Sequence, residues 1–158
     1  MSAQAEASCD GVIEKLRAGL NARIDQINAE HSDPVAVERV PDEFVFFGVR
    51  SEFPYPCVMV FPDDTASEND HGLRIDWRHK IVVMGWAADG TEEALQRKLL
   101  RFERAIRDTI LANRAADFTG GFGLGHLRDR RTRVFQPHHG MFEHACVSEF
   151  WVTQEQDL

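Results

Sequence analysis

The chain has 158 residues, 43% of them apolar and 28% charged, with a formal net charge of -8 at pH 7. That length predicts a single domain, 1–158, able to bury a core without staples. The acidic balance argues against a protein that coats nucleic acid, and three scattered cysteines (Cys9, Cys57, Cys146) with no CxxC pair argue against a disulfide framework or a zinc finger, predicting reduced thiols in a cytosolic compartment.

The first thirty residues hold no uninterrupted apolar run, which predicts neither a signal peptide nor a membrane span. Residues 8–30 read as a helix, because Ile13, Leu16, Leu20, Ile24 and Ile27 recur at spacings of 3, 4, 4 and 3. Ser8 or Asp10 is the expected cap, residues 1–7 are expected to be flexible, and Pro34 disfavours helix at Asp33. Three strands follow, Glu43–Val49, Pro56–Phe61 and Trp77–Ala87, each rich in Val, Ile or Phe. Between the second and third lies an acidic stretch, 62–76, read as a long loop or the tip of an extended hairpin. Residues 91–114 form the clearest helix: Asp89-Gly90-Thr91 starts it, Glu92 and Glu93 suit its N-terminus, and Leu95, Leu99, Phe102, Ile106 and Ile110 make its apolar stripe. Its other faces, with Arg97, Lys98, Arg101, Glu103, Arg104, Arg107 and Asp108, read as a mixed solvated surface. A glycine-rich run at 120–125, a short strand near Arg128–Phe135, a turn at Gln136–Gly140 and a last strand at Phe142–Thr153 complete the chain. The expected fold class is α+β: a single mixed, mostly antiparallel sheet of four or five strands with two main helices, in the order α-β-β-β-α-β-β.

A strand with one wet face alternates apolar and polar residues. These strands do not: Phe44 and Phe46 oppose Val45, Phe47 and Val49; Cys57, Met59 and Phe61 oppose Val58 and Val60; Ile81 and Val83 oppose Val82, Met84 and Trp86. Four or five strands make a sheet about 19–24 Å wide, and two helices of about 10 Å each cover about one face of it. Either loops close over the remainder or another subunit does, and the width comparison predicts a homo-oligomer.

Few residues carry the pattern of a reactive site. The glycines 121, 123 and 125 follow a helix and lead into a strand, the reverse of a dinucleotide fingerprint, and no phosphate-binding loop or nucleophile elbow occurs. His138 and His139 are adjacent, which suits a polar turn better than a zinc site, and the acids around His71 lack calcium-loop spacing. The expectation is therefore no catalytic residue, no cofactor, no metal and no enzyme activity. Two charged clusters remain as candidate surfaces: Asp63, Asp64, Glu68 and Asp70, and Arg128, Arg130, Arg131 and Arg133. The arginines suit a guarded sheet edge, a phosphate contact or an acidic neighbour.

Three segments carry a resemblance. Tyr55-Pro56-Cys57-Val58-Met59-Val60-Phe61-Pro62, then His79-Lys80-Ile81-Val82-Val83-Met84-Gly85-Trp86, then the helical run Leu99 to Asp108 resemble, in this order, the tail-terminator and tail-completion (neck) proteins of long-tailed bacteriophages. Phe102 stands where that pattern usually has Tyr, and the likeness covers roughly residues 40–153, with 118–136 outside its motifs. The resemblance implies a virion structural protein at the tail–neck junction, assembled in the host cytoplasm: a subunit of a homohexameric ring that caps the tail tube. Its implied partners are further copies of itself, the major tail tube protein and a neck or head-completion protein, with DNA passing through the channel without specific binding and no membrane involved. The alternative is a head-side adaptor or minor capsid protein that contacts DNA.

Overall fold

The computed structural model describes residues 3–70, 74–113, 122–134 and 142–157. The fold is α+β, with α1 (Ala3–Ala29), β1 (Val45–Phe47), β2 (Cys57–Asp70), β3 (Arg74–Asp89), α2 (Glu92–Ala112), β4 (Phe122–Val134) and β5 (Phe142–Asp157). The five strands form one sheet in the order β1-β2-β3-β5-β4. Only the short β1–β2 pair is parallel; β2–β3, β3–β5 and β5–β4 are antiparallel.

The periodic stripes become the core. Leu16, Leu20, Ile24 and Ile27 of α1 and Leu95, Leu99, Phe102, Ile106 and Ile110 of α2 pack on Val58, Val60, Ile81, Val83, Cys146 and Phe150. Both helices therefore lie on one face of the sheet. Helix α1 starts earlier than its cap signals predict: it runs from Ala3, and Ala5 and Ser8 are buried within it. Alanine at three, five and seven favours that extension. Helix α2 starts where expected, with the Thr91 hydroxyl accepting from the Ala94 amide at 3.2 Å.

Gly85 explains how closely α2 approaches. A Cβ there would stand 2.8 Å from Ile106 Cδ1, 2.9 Å from Phe102 Cε1 and 3.0 Å from Cys146 Sγ. A side chain at this position would push the helix off the sheet.

The strands depart from expectation mostly in length. The first ends at Phe47, where Gly48 turns with φ of 89° and its amide donates to the Val60 carbonyl at 2.8 Å. The stretch 62–76 is a hairpin arm rather than a loop wherever it is described, paired from Pro62↔Ile81 to Asp70↔Arg74 with an irregularity between Pro62 and Asp64. The glycines 123 and 125 lie within β4, not in a loop before it, and β4 shifts register between Leu124 and Leu127 and again between Arg128 and Arg130. The turn Gln136–Gly140, with His138 and His139, and also His71, lie outside the described residues.

The polar faces of α2 are not all solvated. Lys98, Arg101 and Glu103 are 4%, 6% and 6% exposed. Two of them clasp the connector between α1 and β1. Lys98 Nζ stands 2.7 Å from Glu38 Oε1 and 2.9 Å from Asp89 Oδ2, and donates to the Ala88 carbonyl at 3.1 Å. Arg101 grips both carboxylate oxygens of Asp33, at 2.9 and 2.5 Å, and the Val35 carbonyl. From the other side, Asn21 and Asn28 each exchange two hydrogen bonds with one backbone unit, at Val40 and Val37, while Arg17 donates to the carbonyls of Asp42 and Val45. These side chains give the irregular connector the backbone partners a strand would have.

Candidate interface surfaces

The sheet face opposite the helices has a covered end and an open one. At one end Phe46, Cys57, Met59, Trp86 and Ala145 form a second buried cluster, with Phe44, Phe53, Phe61 and Met84 packed against it. The connector 48–56 closes over this end. Its Phe53 ring lies 4.8 Å from Trp86 and 5.4 Å from Tyr55, and the Arg50 guanidinium sits 3.7 Å over the Phe46 ring. The Tyr55 hydroxyl donates to Glu143, and burial, then that carboxylate, raises its pKa. An open cavity of about 480 Å³ between Ser51, Glu52, Phe53, Tyr55, Trp86 and Glu143 marks the rim of this cover. Of the two covers the width comparison allows, a loop or another subunit, this end of the sheet has a loop.

Further along the same face no connector reaches, among the described residues. Phe61, Asp63, Lys80, Val82, Met84, Val147 and Glu149 line an open groove of about 320 Å³. Lys80 Nζ stands 3.1 Å from Asp63 Oδ2 and 3.4 Å from Glu149 Oε1, and the bond to Asp63 raises its pKa against the smaller cost of desolvation. The floor is apolar and the rim charged, an arrangement that suits contact with a macromolecule.

The two charged clusters lie on opposite sides of the sheet. Asp63, Asp64, Glu68 and Asp70 follow one another along β2, with Asp64 opposite Lys80, Glu68 opposite Asp76 and Asp70 opposite Arg74. Arg128, Arg130, Arg131 and Arg133 lie on β4, opposite Glu149, Ser148, Val147 and Ala145. Strands β3 and β5 separate the two sets. Strand β4 is the last in the sheet, and β1 pairs with β2 only at Val58–Val60. Both clusters therefore lie on sheet edges that have no strand partner among the described residues.

No family model and no curated protein matches the chain. Among solved structures, a chain of "Virion of native gene transfer agent (GTA) particle" aligns over 87% of this chain and 94% of its own, at 16% identity and a TM-score of 0.44. A likeness at that level carries no weight for function.

Among the described residues no three His, Cys, Asp or Glu side chains gather where they would hold a metal ion, and no helix is long and apolar enough to cross a membrane. The thiols of Cys9, Cys57 and Cys146 are buried, and desolvation pushes each up to about 12. A neutral buried thiol is a poor nucleophile. Sequence reasoning missed Lys80, Glu149, Phe53, Tyr55 and Glu143. The aromatics of the segment Ser51–Pro56 were the available signal, since Phe53 and Tyr55, alternating with Pro54 and Pro56 in a connector, need an apolar surface to rest on.

Proposed function

We propose that this chain is a virion structural protein, a tail-terminator ring subunit that caps the tail tube and joins it to the head or neck connector. The observation that carries the reading is the convergence of the three segments that resemble that family. Residues 55–62 enter β2, 79–86 enter β3 and 99–108 enter α2, and they meet where Phe102 and Ile106 close on Gly85. The residues of the likeness are thus those that set how helix and sheet pack. On this reading the chain is not an enzyme and takes no cofactor. Its work is geometric: it copies the symmetry of the last tube ring, binds it and presents a different surface to the neck.

Electron microscopy of particles lacking this protein tests the reading. The expected result is overlong or headless tails; tails of normal length already joined to heads would sink it. The second reading, a head-side adaptor that grips DNA, is favoured by the position of Arg128–Arg133 on an edge strand. It predicts that Arg130→Glu with Arg131→Glu blocks genome retention and leaves tails intact.

A further inference from the structure

Strand polarity constrains how copies of this sheet can meet. Strands β2, β3, β5 and β4 alternate in direction, so the two outer ones run opposite ways. If copies are repeated around an axis roughly along the strands, β4 of one lies antiparallel to β2 of the next, and every junction repeats the alternation inside the subunit. An odd number of alternating strands would not do this.

The edge of β2 is occupied by β1 only as far as Val60. A neighbouring β4 therefore meets β2 from Phe61 onward, in the stretch that carries the acids. Following the register across the sheet, Arg131 stands level with Val147, Met84 and Met59, and Arg133 with Ala145, Trp86 and Cys57. A stagger of about four residues per subunit, roughly one per strand as closed barrels use, moves Arg131 from the level of Met59 to that of Asp63. That stagger also carries Arg133 to the level of Phe61, just beyond the end of β1. Charge then selects the junction. Two acidic edges repel, two basic edges repel, and only β4 against β2 brings opposite signs together.

We propose that a second copy of the chain docks edge to edge, its β4 (Arg128–Arg133) extending the sheet of the first along the acidic part of β2 (Asp63–Asp70). The contact is head to tail, so an open chain of copies keeps one unused edge of each sign, at its two ends, until a ring closes. This deepens the ring reading and rests on it.

Sedimentation velocity on the full chain over a wide concentration range tests the contact. Two variants are needed, on the residues this stagger sets against each other (Arg131 at Asp63, Arg130 at Asp64): Asp63→Lys with Asp64→Lys, and Arg130→Glu with Arg131→Glu. Each alone places like charges at every junction and is expected to weaken assembly by roughly a hundredfold or more. Mixed in equal amounts they restore opposite charges at every junction, and assembly is expected to return as alternating copies. That recovery also shows that both variants fold. A wild-type oligomer that neither variant disturbs overturns the edge contact and leaves the ring reading standing, as does a mixture that stays dissociated while each variant melts cooperatively. A wild-type chain that sediments as an 18.0 kDa monomer at every concentration overturns the ring reading and the contact with it.

Discussion

The two faces of the sheet are held by different means. On one, two helices of 27 and 21 residues bring whole apolar stripes onto Val58, Val60, Ile81, Val83 and Phe150. On the other, a short connector brings Phe53 and Tyr55 to one end and leaves a groove around Lys80. The first face is determined by long-range burial and tolerates little change. The second is finished locally, by a few aromatic rings, and its remaining surface stays open to a partner. The lesson is that apolar residues on both faces of a strand need not imply a missing subunit over the whole sheet: nine residues of connector, 48–56, supply much of the cover.

The sharpest way to break this comparison is to remove one ring from each side. Phe102 is fully buried under α2, and Phe102→Ala should cost about 3–5 kcal/mol by urea unfolding. Phe53→Ala should cost far less, about 1–2 kcal/mol, while shifting tryptophan emission to the red as Trp86 meets water. Equal losses would show that the connector is as integral as the helices. Next in size is Gly85→Ala, expected to cost about 1–3 kcal/mol because three buried side chains stand within 3.0 Å of the new methyl. A neutral result in the same titration would mean that α2 can slide, and that the helix-covered face is less fixed than its packing implies.

The smallest effect is a pH dependence confined to the helix side. The Arg101 hydrogen bonds hold the Asp33 carboxyl down to about 2, below its ordinary 3.8. A depressed pKa contributes stability that is complete above the unfolded value and is lost as pH falls through the folded one. Melting temperature against pH should therefore separate wild type from Asp33→Asn at neutral pH, with the gap closing between about pH 4 and pH 2. A constant gap across that window would mean that Asp33 acts through its backbone turn at Val35 rather than through its charge.

Much of this fold was legible in period alone. The alternation that set Val58 and Val60 against Cys57 and Met59, and Ile81 and Val83 against Met84 and Trp86, divides into the two buried clusters without error. The stripe of α2 and its Thr91 cap were legible for the same reason, since both depend on neighbours within a turn or two. The clasp on the 30–44 connector was not. Lys98 and Arg101 look like solvated charges in sequence, and their partners Glu38 and Asp33 lie 60 and 68 residues away. The candidate surfaces were legible as composition but not as placement. Four acids and four arginines can be counted in a sequence; that they lie on opposite edges of one sheet follows only from strand order.

The three cysteines sit in three different layers: Cys9 in α1, Cys146 between α2 and the sheet, and Cys57 beneath the Phe53 connector. Nature has in effect placed one silent label at each depth. Timed alkylation followed by peptide mass analysis would rank how often each layer breathes, with Cys57 expected to be modified before Cys146.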